Sequence, residues 1–454
     1  MNIVIVGGGK VGYALASQLC SEGHDVTVID NNSERTTLIN DSLDVITFCG
    51  SGASYLTLKD AGVEEADLLI AATGADEINM LCCMVGKKVG AKHTIARVRN
   101  PEYHQQMFFL RDELGLSLAI NPEQAAAAEI SRMLRFPSAI KVEPFAKGRI
   151  ELMELRLKED SPLDGVMLKD LRKKIQISNI LICAVERDDV VTIPTGNFTL
   201  QAGDRLTLIA PPQAAEAFFK FLGTFKRRVK NVIIIGGGRI SYYLARQLSE
   251  VGIHTKIVER DETRCRELCE LVPKATIICG DGADQELLRE EGVMSADAFV
   301  ALTGLDEENI ILSMFAHKCN VEKVITKVSK TTYIDMLSSS ALESFICPKD
   351  ITSQQILQYV RAMQNSFGSS VETLYRIVGE RVEALEFHVR ESARVVGVPL
   401  KDIPLKDGLL IGAIIRRGRC IIPSGNDTIE PDDNVIVVTT DRGLCELDSI
   451  RRED

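Results

Sequence analysis

Residues 3–19, IVIVGGGKVGYALASQL, set four β-branched apolar residues directly before three glycines and an apolar stretch with helical spacing. Unbroken apolarity suits a strand buried on both faces. Glycines between such a strand and a helix make a turn in which a phosphate can meet the positive end of the helix. Residues 232–248, VIIIGGGRISYYLARQL, repeat the pattern, with Gly236 standing 229 positions after Gly7. The chain therefore reads as two copies of one strand–turn–helix unit.

The correspondence extends outward. Asp30 ends VTVID and Glu259 ends TKIVE; FCGSGA (48–53) matches ICGDGA (278–283); LLIAATGADEIN (68–79) matches AFVALTGLDEEN (298–309). Thr73 pairs with Thr303, Arg97 with Lys327, and Tyr103 with Tyr333. Further on, TIPTGNFTLQAGDRL (192–206) matches IIPSGNDTIEPDDNV (421–435), pairing Pro194 with Pro423 and Asp204 with Asp433. Each copy has two parts. The expected domains are residues 1–137 and 229–352 for the glycine-turn units, and 138–224 and 368–454 for the smaller parts. GTFKRRVK (223–230) reads as a short solvated linker between copies.

Composition bounds the function. At roughly 100–200 residues per domain, 454 residues make two to four domains. The 45% hydrophobic and 26% charged residues exclude a disordered or low-complexity chain. No run approaches the roughly 18 apolar residues of a membrane span. The start, MNIVIVGGGK, shows no secretory signal. A formal charge of −11 argues against general nucleic-acid binding. The twelve cysteines form no C-x-x-C pair; Cys82 and Cys83 are adjacent, and Cys265 and Cys269 stand at i, i+4. With no His or second pair at zinc spacing, they read as reduced thiols of a cytosolic protein, buried as small apolar residues, and no metal site is expected.

The glycine-turn part alternates strand and helix: IVIV, a helix through ALASQL, DVTVI, DVITF, a helix near ASYLTLKDAG, DLLIAA, a helix from Asp76 to Val89, HTIARV, a helix after Pro101, LSLAI and a helix after Pro122. That is an α/β fold, a six-stranded doubly wound parallel sheet of Rossmann type. The smaller part, with ELMELRL, ILICAVER, VVTIP, DRLTLIA and a closing helix, reads as an α+β domain with a β-rich face.

Gly7-Gly8-Gly9-Lys10-Val11-Gly12 satisfies G-x-G-x-x-G after a strand and before a helix, with Asp30 as the acid that follows. The first glycine permits the turn, Gly9 lets backbone N–H groups approach a pyrophosphate, and Gly12 allows close helix–strand packing. Asp30 would accept from ribose hydroxyls and repel a 2′-phosphate, which favours NAD or NADH over the phosphorylated dinucleotide; ATP and ADP stay open. In the second copy Gly236, Gly237, Gly238, Arg239 and Ile240 continue to Ser241 in place of the third glycine, and Glu259 fills the acid position. Other candidates lie at strand C-termini, where open sheets bind ligands: Ser51 and Asp281, Thr73-Gly74 and Thr303-Gly304, and the cations Arg97 and Lys327. Asp76-Glu77 and Asp306-Glu307 read as caps for the helices they open. Tyr55 and Lys59 have a short-chain dehydrogenase spacing but follow the third strand, where that chemistry is not placed. No catalytic residue is assigned.

Taken together, GGGKVG, VID, CGSGA, AATGADEIN and ARVRNPEY in this doubled arrangement resemble the regulatory proteins of Trk-type potassium uptake, cytosolic chains of two RCK repeats. The resemblance covers essentially the whole chain. It implies one nucleotide held by Gly7 to Val11, Asp30, Thr73-Gly74 and Arg97, another by Gly236 to Ile240, Glu259, Thr303-Gly304 and Lys327, and a ring-shaped homo-oligomer. It also implies a peripheral place on the cytoplasmic face of a potassium-translocating membrane subunit, with nucleotide binding gating transport. It admits cyclic di-AMP at the C-terminal parts. The chain departs from the family pattern at Gly74 and Gly304, where Asn is usual, at Ser51 and at Ser241. The rival reading is an NAD-dependent oxidoreductase on a duplicated Rossmann unit.

Overall fold

The structure is a computed structural model. It describes residues 1–454 apart from 137–138, 146–148, 176, 178, 224–228, 331, 338–341, 343, 366–370, 379–380, 442–443, 445 and 453–454. The domain boundary expected at 137/138 and most of the 223–230 linker lie outside the described residues.

The first copy opens with β1 (Asn2–Val6), α1 (Lys10–Ser21), β2 (Asp25–Asp30), α2 (Ser33–Ser42), β3 (Ile46–Cys49) and α3 (Tyr55–Asp60). It continues with β4 (Leu68–Ala71), α4 (Asp76–Val89), β5 (His93–Arg97), α5 (Pro101–Glu113), β6 (Leu118–Ile120) and α6 (Pro122–Arg135). The strands pair in the order β3-β2-β1-β4-β5-β6, all parallel. This is the Rossmann order, with the switch point between β1 and β4. Helix α2 was not foreseen in SERTTLINDS, which is mostly polar, yet a parallel β2–β3 pair requires a crossover. Asn32 caps it, its side chain accepting from Arg35 N–H.

The smaller part that follows contains β7 (Lys141–Phe145), β8 (Ile150–Arg156), α7 (Leu168–Ile175), β9 (Leu181–Arg187), β10 (Val190–Thr192), β11 (Arg205–Ala210) and α8 (Pro212–Phe221). Its antiparallel sheet runs β10-β9-β11-β8-β7. Strand β7 and helix α7 were missed in the sequence, the first because KVEPF carries a proline and alternates weakly.

The second copy repeats this. Its parallel sheet has β12 (Asn231–Ile235), α9 (Arg239–Glu250), β13 (His254–Glu259), α10 (Glu262–Leu271), β14 (Thr276–Cys279) and α11 (Gln285–Glu290). Then come β15 (Ala298–Ala301), α12 (Asp306–Lys318), β16 (Lys323–Lys327), α13 (Thr332–Leu337), β17 (Phe345–Ile346) and α14 (Pro348–Asn365). The order β14-β13-β12-β15-β16-β17 is that of the first sheet. The last part has β18 (Val371–Ile377), β19 (Val382–His388), β20 (Leu409–Arg416), β21 (Arg419–Ile421) and β22 (Asn434–Thr439), ordered β18-β19-β22-β20-β21.

The copies exchange helices. Ala126, Ala127, Ile130, Met133 and Leu134 of α6 pack with Val232, Ile234, Tyr242, Tyr243 and Leu244 of the second parallel sheet and its α9. In return Ile356, Leu357 and Val360 of α14 pack with Ile3, Ile5, Leu15 and Leu19 of the first. Asn121 Nδ2 donates to Tyr243 Oη (2.8 Å), and Arg361 Nη2 to Glu22 Oε1 (2.5 Å), so each exchange carries a polar tie. The two antiparallel sheets also meet face to face. Phe145, Ile150, Leu152, Ala184 and Ile209 pack with Val382, Ala384, Ala413, Ile436 and Val438.

Cysteine burial is mixed. Cys82, Cys83, Cys183, Cys265, Cys319 and Cys347 are buried as expected, but Cys49, Cys269 and Cys279 are exposed. Among the described residues no three His, Cys, Asp or Glu side chains group to hold a metal ion. No helix there is long and apolar enough to cross a membrane.

Candidate nucleotide sites

The strand ends β1, β2 and β4 of the first sheet surround a cavity of about 510 Å³. Gly7, Gly9, Lys10, Val11, Asp30, Ser51, Thr73, Gly74 and Arg97 all line it, so the structure brings these expected residues together. Gly8 and Gly12 lie beneath. Gly7 has φ +104°, and a Cβ there would stand 3.0 Å from the Ala72 and Thr73 backbone. A Cβ on Gly12 would stand 1.8 Å from Gly7 O, so α1 approaches the turn more closely than any side chain permits. Gly9 differs: a Cβ there would meet nothing within 4 Å. The turn does not need a glycine at that place, but a group lying over the helix start does.

The charge at that start points the same way. Helix α1 has no acid in its first turn and opens on Lys10; α9 likewise has none and opens on Arg239. A cation at the positive end of a helix is unfavourable, and an anion placed there relieves both.

Asp30 is 6% exposed and already oriented. Its Oδ2 accepts from Gly8 N–H (2.7 Å) and its Oδ1 from Asn32 N–H (2.9 Å), which leaves lone pairs directed at the cavity. Arg35, unforeseen, lines the cavity and stands 3.8 Å from Asp30 Oδ2.

The Arg97 guanidinium reaches a main-chain carbonyl. Its Nη2 donates to Thr73 O (2.5 Å) and its buried Nε has no partner among the described residues. Burial, then neighbouring Arg99, pulls Arg97 below the usual guanidinium range. An anion would remove that strain. Asn79, fully buried, locks the strand ends together: its Oδ1 accepts from Thr73 N–H (2.7 Å) and Oγ1–H (2.6 Å), and its Nδ2 donates to Arg97 O (2.8 Å). Sequence reading passed over Asn79, although its counterpart Asn309 repeats the pattern with Thr303 N (2.8 Å) and Lys327 O (3.0 Å).

The acids before it behave differently from expectation. Asp76 and Asp306 do not cap their helices; Ala75 and Leu305 hold the cap positions without a side-chain bond. Asp76 Oδ2 accepts instead from Arg99 N–H (2.8 Å) and Asn100 N–H (2.7 Å), and Asp306 Oδ2 from Ser329 N–H (2.8 Å) and Lys330 N–H (3.1 Å). Glu77 and Glu307 accept from Tyr103 and Tyr333 Oη–H (2.8 and 2.6 Å). These pairs tie the start of α4 or α12 to the segment after the fifth strand.

The second site has the same frame. Gly236 has φ +96°, Gly238 and Gly304 face open space, and Glu259 Oε2 accepts from Gly237 N–H (2.6 Å). Ser241 is fully buried and donates to Gly236 O (2.5 Å), so the serine satisfies its hydroxyl inside the turn. Lys327 Nζ donates to Thr303 O (2.5 Å), as Arg97 does to Thr73, and burial lowers its pKa. Two differences stand out. Arg264 Nε donates to Gly237 O (2.8 Å), whereas its counterpart Arg35 turns to Asp30. Ile240 is buried against α6, while Val11 lines its cavity. Ser51 and Asp281 are exposed, each accepting from the N–H two residues on. Tyr55 and Lys59 lie on α3, where Lys59 meets Glu64 (3.7 Å).

Helix α6 starts among cations of both copies. Glu123, in its first turn, lies 3.9 Å from Arg99 Nη1 and within the field of Arg97 and of Arg239 from the other copy. Burial pushes its carboxyl up, against these cations.

The fold defines the class: a protein of two Rossmann units, each with a glycine turn opening its first helix and an acid ending its second strand. The profile of the TrkA-N domain matches residues 3–122 and 232–348, and that of the TrkA-C domain residues 152–223 and 384–450. The Trk system potassium uptake protein TrkA homolog of Archaeoglobus fulgidus is 36% identical over 437 residues, 96% of this chain and 97% of that one. TrkA of Halomonas elongata is 33% identical over 97% of this chain and 96% of its own. The chain belongs to the TrkA family of Trk potassium uptake proteins. Among solved structures the GsuK RCK domain matches with a TM-score of 0.62 at 17% identity, covering 96% of this chain and 92% of that one. The GsuK channel bound to NAD matches equally well, covering 96% and 76%.

Proposed function

We propose that this chain is a non-enzymatic regulatory subunit that gates a Trk-type potassium transporter from the cytoplasmic face of the membrane. NAD(H) or ATP/ADP would occupy the cradles at Gly7–Gly12 and Gly236–Ser241. The observation that carries the reading is the doubled helix start, open above Gly9 and Gly238 and opening on a cation in each copy. Family membership supplies the potassium system, and the GsuK neighbours bound to NAD and to ADP show that this fold can hold such ligands.

The residues present fit the ligand. Backbone N–H groups at the start of α1, with Lys10 and Arg97, would hold the phosphates. Asp30 would take the ribose hydroxyls, with Asn31, Arg35 and Ser51 around the adenine. In the second copy Arg239, Glu259, Asp281 and Lys327 take the corresponding parts. The titratable side chains lining the first cavity, Lys10, Asp30, Arg35 and Arg97, all have a binding role in this reading, which supports it over the oxidoreductase.

Ligand binding moves such a protein only if its two shapes bind with different affinity. Helix α6 supplies a route, since it starts beside Arg99 in one unit and is packed into the other. Calorimetric titration with NAD, NADH, ATP, ADP and cyclic di-AMP, paired with potassium flux through the reconstituted membrane subunit, tests the proposal. Saturable adenine-nucleotide binding that alters flux is the expected result. Hydride turnover in a redox screen, or flux indifferent to every bound nucleotide, would overturn it.

A further inference from the structure

The second copy pairs two cysteines where the first has one. Cys279 ends β14 and is exposed, while Cys265 stands in the first turn of α10 and is 6% exposed. In the first copy Cys49 matches Cys279, but the place of Cys265 is taken by Thr36, whose hydroxyl donates to Ser33 O within its own helix (2.9 Å).

Both cysteines adjoin Glu259. Glu259 and Cys279 are Cα partners in the parallel ladder of β13 and β14. Glu259 O accepts from Gly280 N–H (2.9 Å), the residue after Cys279, and from Cys265 Sγ–H (3.2 Å). The Cys265 thiol therefore lies at the β13 residue that Cys279 faces in the ladder. Glu259 is also the residue whose carboxylate accepts from Gly237 N–H, so the pair lies under the adenosine end of the second site.

We propose that Cys265 and Cys279 form a reversible dithiol–disulfide pair beneath the second nucleotide site, oxidised by low-molecular-weight disulfides and restored by thiols. The Cys279 thiolate attacks one sulfur of the small disulfide, forming a mixed disulfide and expelling one thiolate. The Cys265 thiolate then attacks the Cys279 sulfur and expels the second. The net change is two protein thiols and one disulfide giving one protein disulfide and two small thiols. Cys279 is exposed and Cys265 buried, which assigns Cys279 as the entering nucleophile and Cys265 as the resolving one; burial also pushes the Cys265 thiol up. Cytosolic protein disulfides are transient and redox-sensing, which suits a reversible bridge.

Closing the bridge turns Cys265 away from Glu259 O and fastens α10 to the end of β14. The effect on ligand binding rests on the nucleotide reading above; the pair itself does not. The test incubates the full-length protein with hydroxyethyl disulfide and maps its peptides without reduction. The expected result is a 265–279 linked peptide, two hydrogens lighter than the thiol pair and opened by dithiothreitol. Cys265→Ser should instead retain a hydroxyethyl adduct on Cys279. ADP is then titrated with the first site weakened by Asp30→Asn. Oxidation should change the remaining affinity by about fivefold or more, a normal size for coupled sites, and Cys265→Ser should be insensitive. Absence of the 265–279 link, or a Cys269–Cys279 link in its place, overturns the pair. A link that leaves ADP affinity unchanged overturns the coupling. A link in a protein whose reduced form binds no ADP at the second site supports the pair and overturns the nucleotide reading.

Discussion

Asp30 does two jobs with one carboxylate. It holds the glycine turn through Gly8 N–H and Asn32 N–H, and it offers its free lone pairs to the cavity. Asp30→Asn exchanges one acceptor for a donor and removes the charge. Hydrogen bonds to charged groups contribute about 1.5–3 kcal/mol, so one of the two adenine-nucleotide affinities should weaken roughly tenfold or more. Calorimetry on the folded variant checks this, and two unchanged dissociation constants would remove Asp30 from the site. In the smaller domains the repeated aspartate has a structural role. Asp204, 1% exposed, takes both Arg187 Nε (2.7 Å) and Nη2 (2.8 Å) and also Gln201 N–H (2.8 Å). Arg416 and Asp433 repeat the pair, with Glu430 N–H in place of Gln201. Removing one partner of such a buried pair typically costs about 3–5 kcal/mol. Arg187 can still reach water, so Asp204→Ala is expected at about 3 kcal/mol, the low end of that range, in urea unfolding followed by circular dichroism. A loss under 1 kcal/mol would mean that the pair carries no net stability. Asp30, Thr73 and Arg97 were legible in the sequence because motif spacing and strand ends mark them. Asn79 and Glu123 were not, because their work is set by what tertiary packing brings beside them.

At the scale of the element, the parallel strands were readable from unbroken apolar runs, and helix α4 was foreseen with its observed bounds, Asp76–Val89. The ownership of α6 and α14 was not. A helix shows its apolar face in the sequence, but not which sheet that face covers. The seam between α1 and α14 carries a titrating group. His24, 6% exposed, follows α1; its Nε2 is buried without a partner among the described residues. Burial first, then the N-terminal ammonium and Arg361, lowers its pKa below 6.5, against the opposing fields of Glu22 and Asp25. A lowered histidine binds its proton more readily unfolded than folded. Its contribution is therefore fully present above 6.5 and is lost as pH falls from there through the folded value. The urea midpoint should drop between pH 8 and pH 5.5, and His24→Gln should flatten that part of the slope. An equal slope in both proteins would assign the acid sensitivity to other groups.

At the scale of the molecule, duplication has produced an internal pair rather than two independent beads, and it leaves an apolar stripe outside. Ile78, Leu81 and Met84 of α4 stand 42%, 38% and 37% exposed at helical spacing, and Ile311 and Met314 of α12 repeat it. A stripe kept twice on corresponding helices fits contact with further copies of this chain. Leu81→Lys combined with Ile311→Lys should lower the mass seen by light scattering without unfolding the chain, and an unchanged mass would place the assembly surface elsewhere. The helix exchange makes a stronger demand. Ile130, Met133 and Leu134 of α6 are each about 1% exposed or less, and all three are covered by the other copy. At about 1.5–3 kcal/mol for each buried side chain, that face alone contributes roughly 5 kcal/mol or more to holding the copies together. The α14 face contributes comparably on the first sheet through Ile356, Leu357 and Val360. Cutting the chain in the linker should therefore leave two parts that need each other. Residues 1–224 and 229–454, expressed together with a tag on one, are expected to purify as a one-to-one complex. Expressed alone, each should self-associate through its uncovered helix. Two separate, monomeric and cooperatively folding halves would show that the exchanged helices are not what binds the copies into one regulatory unit.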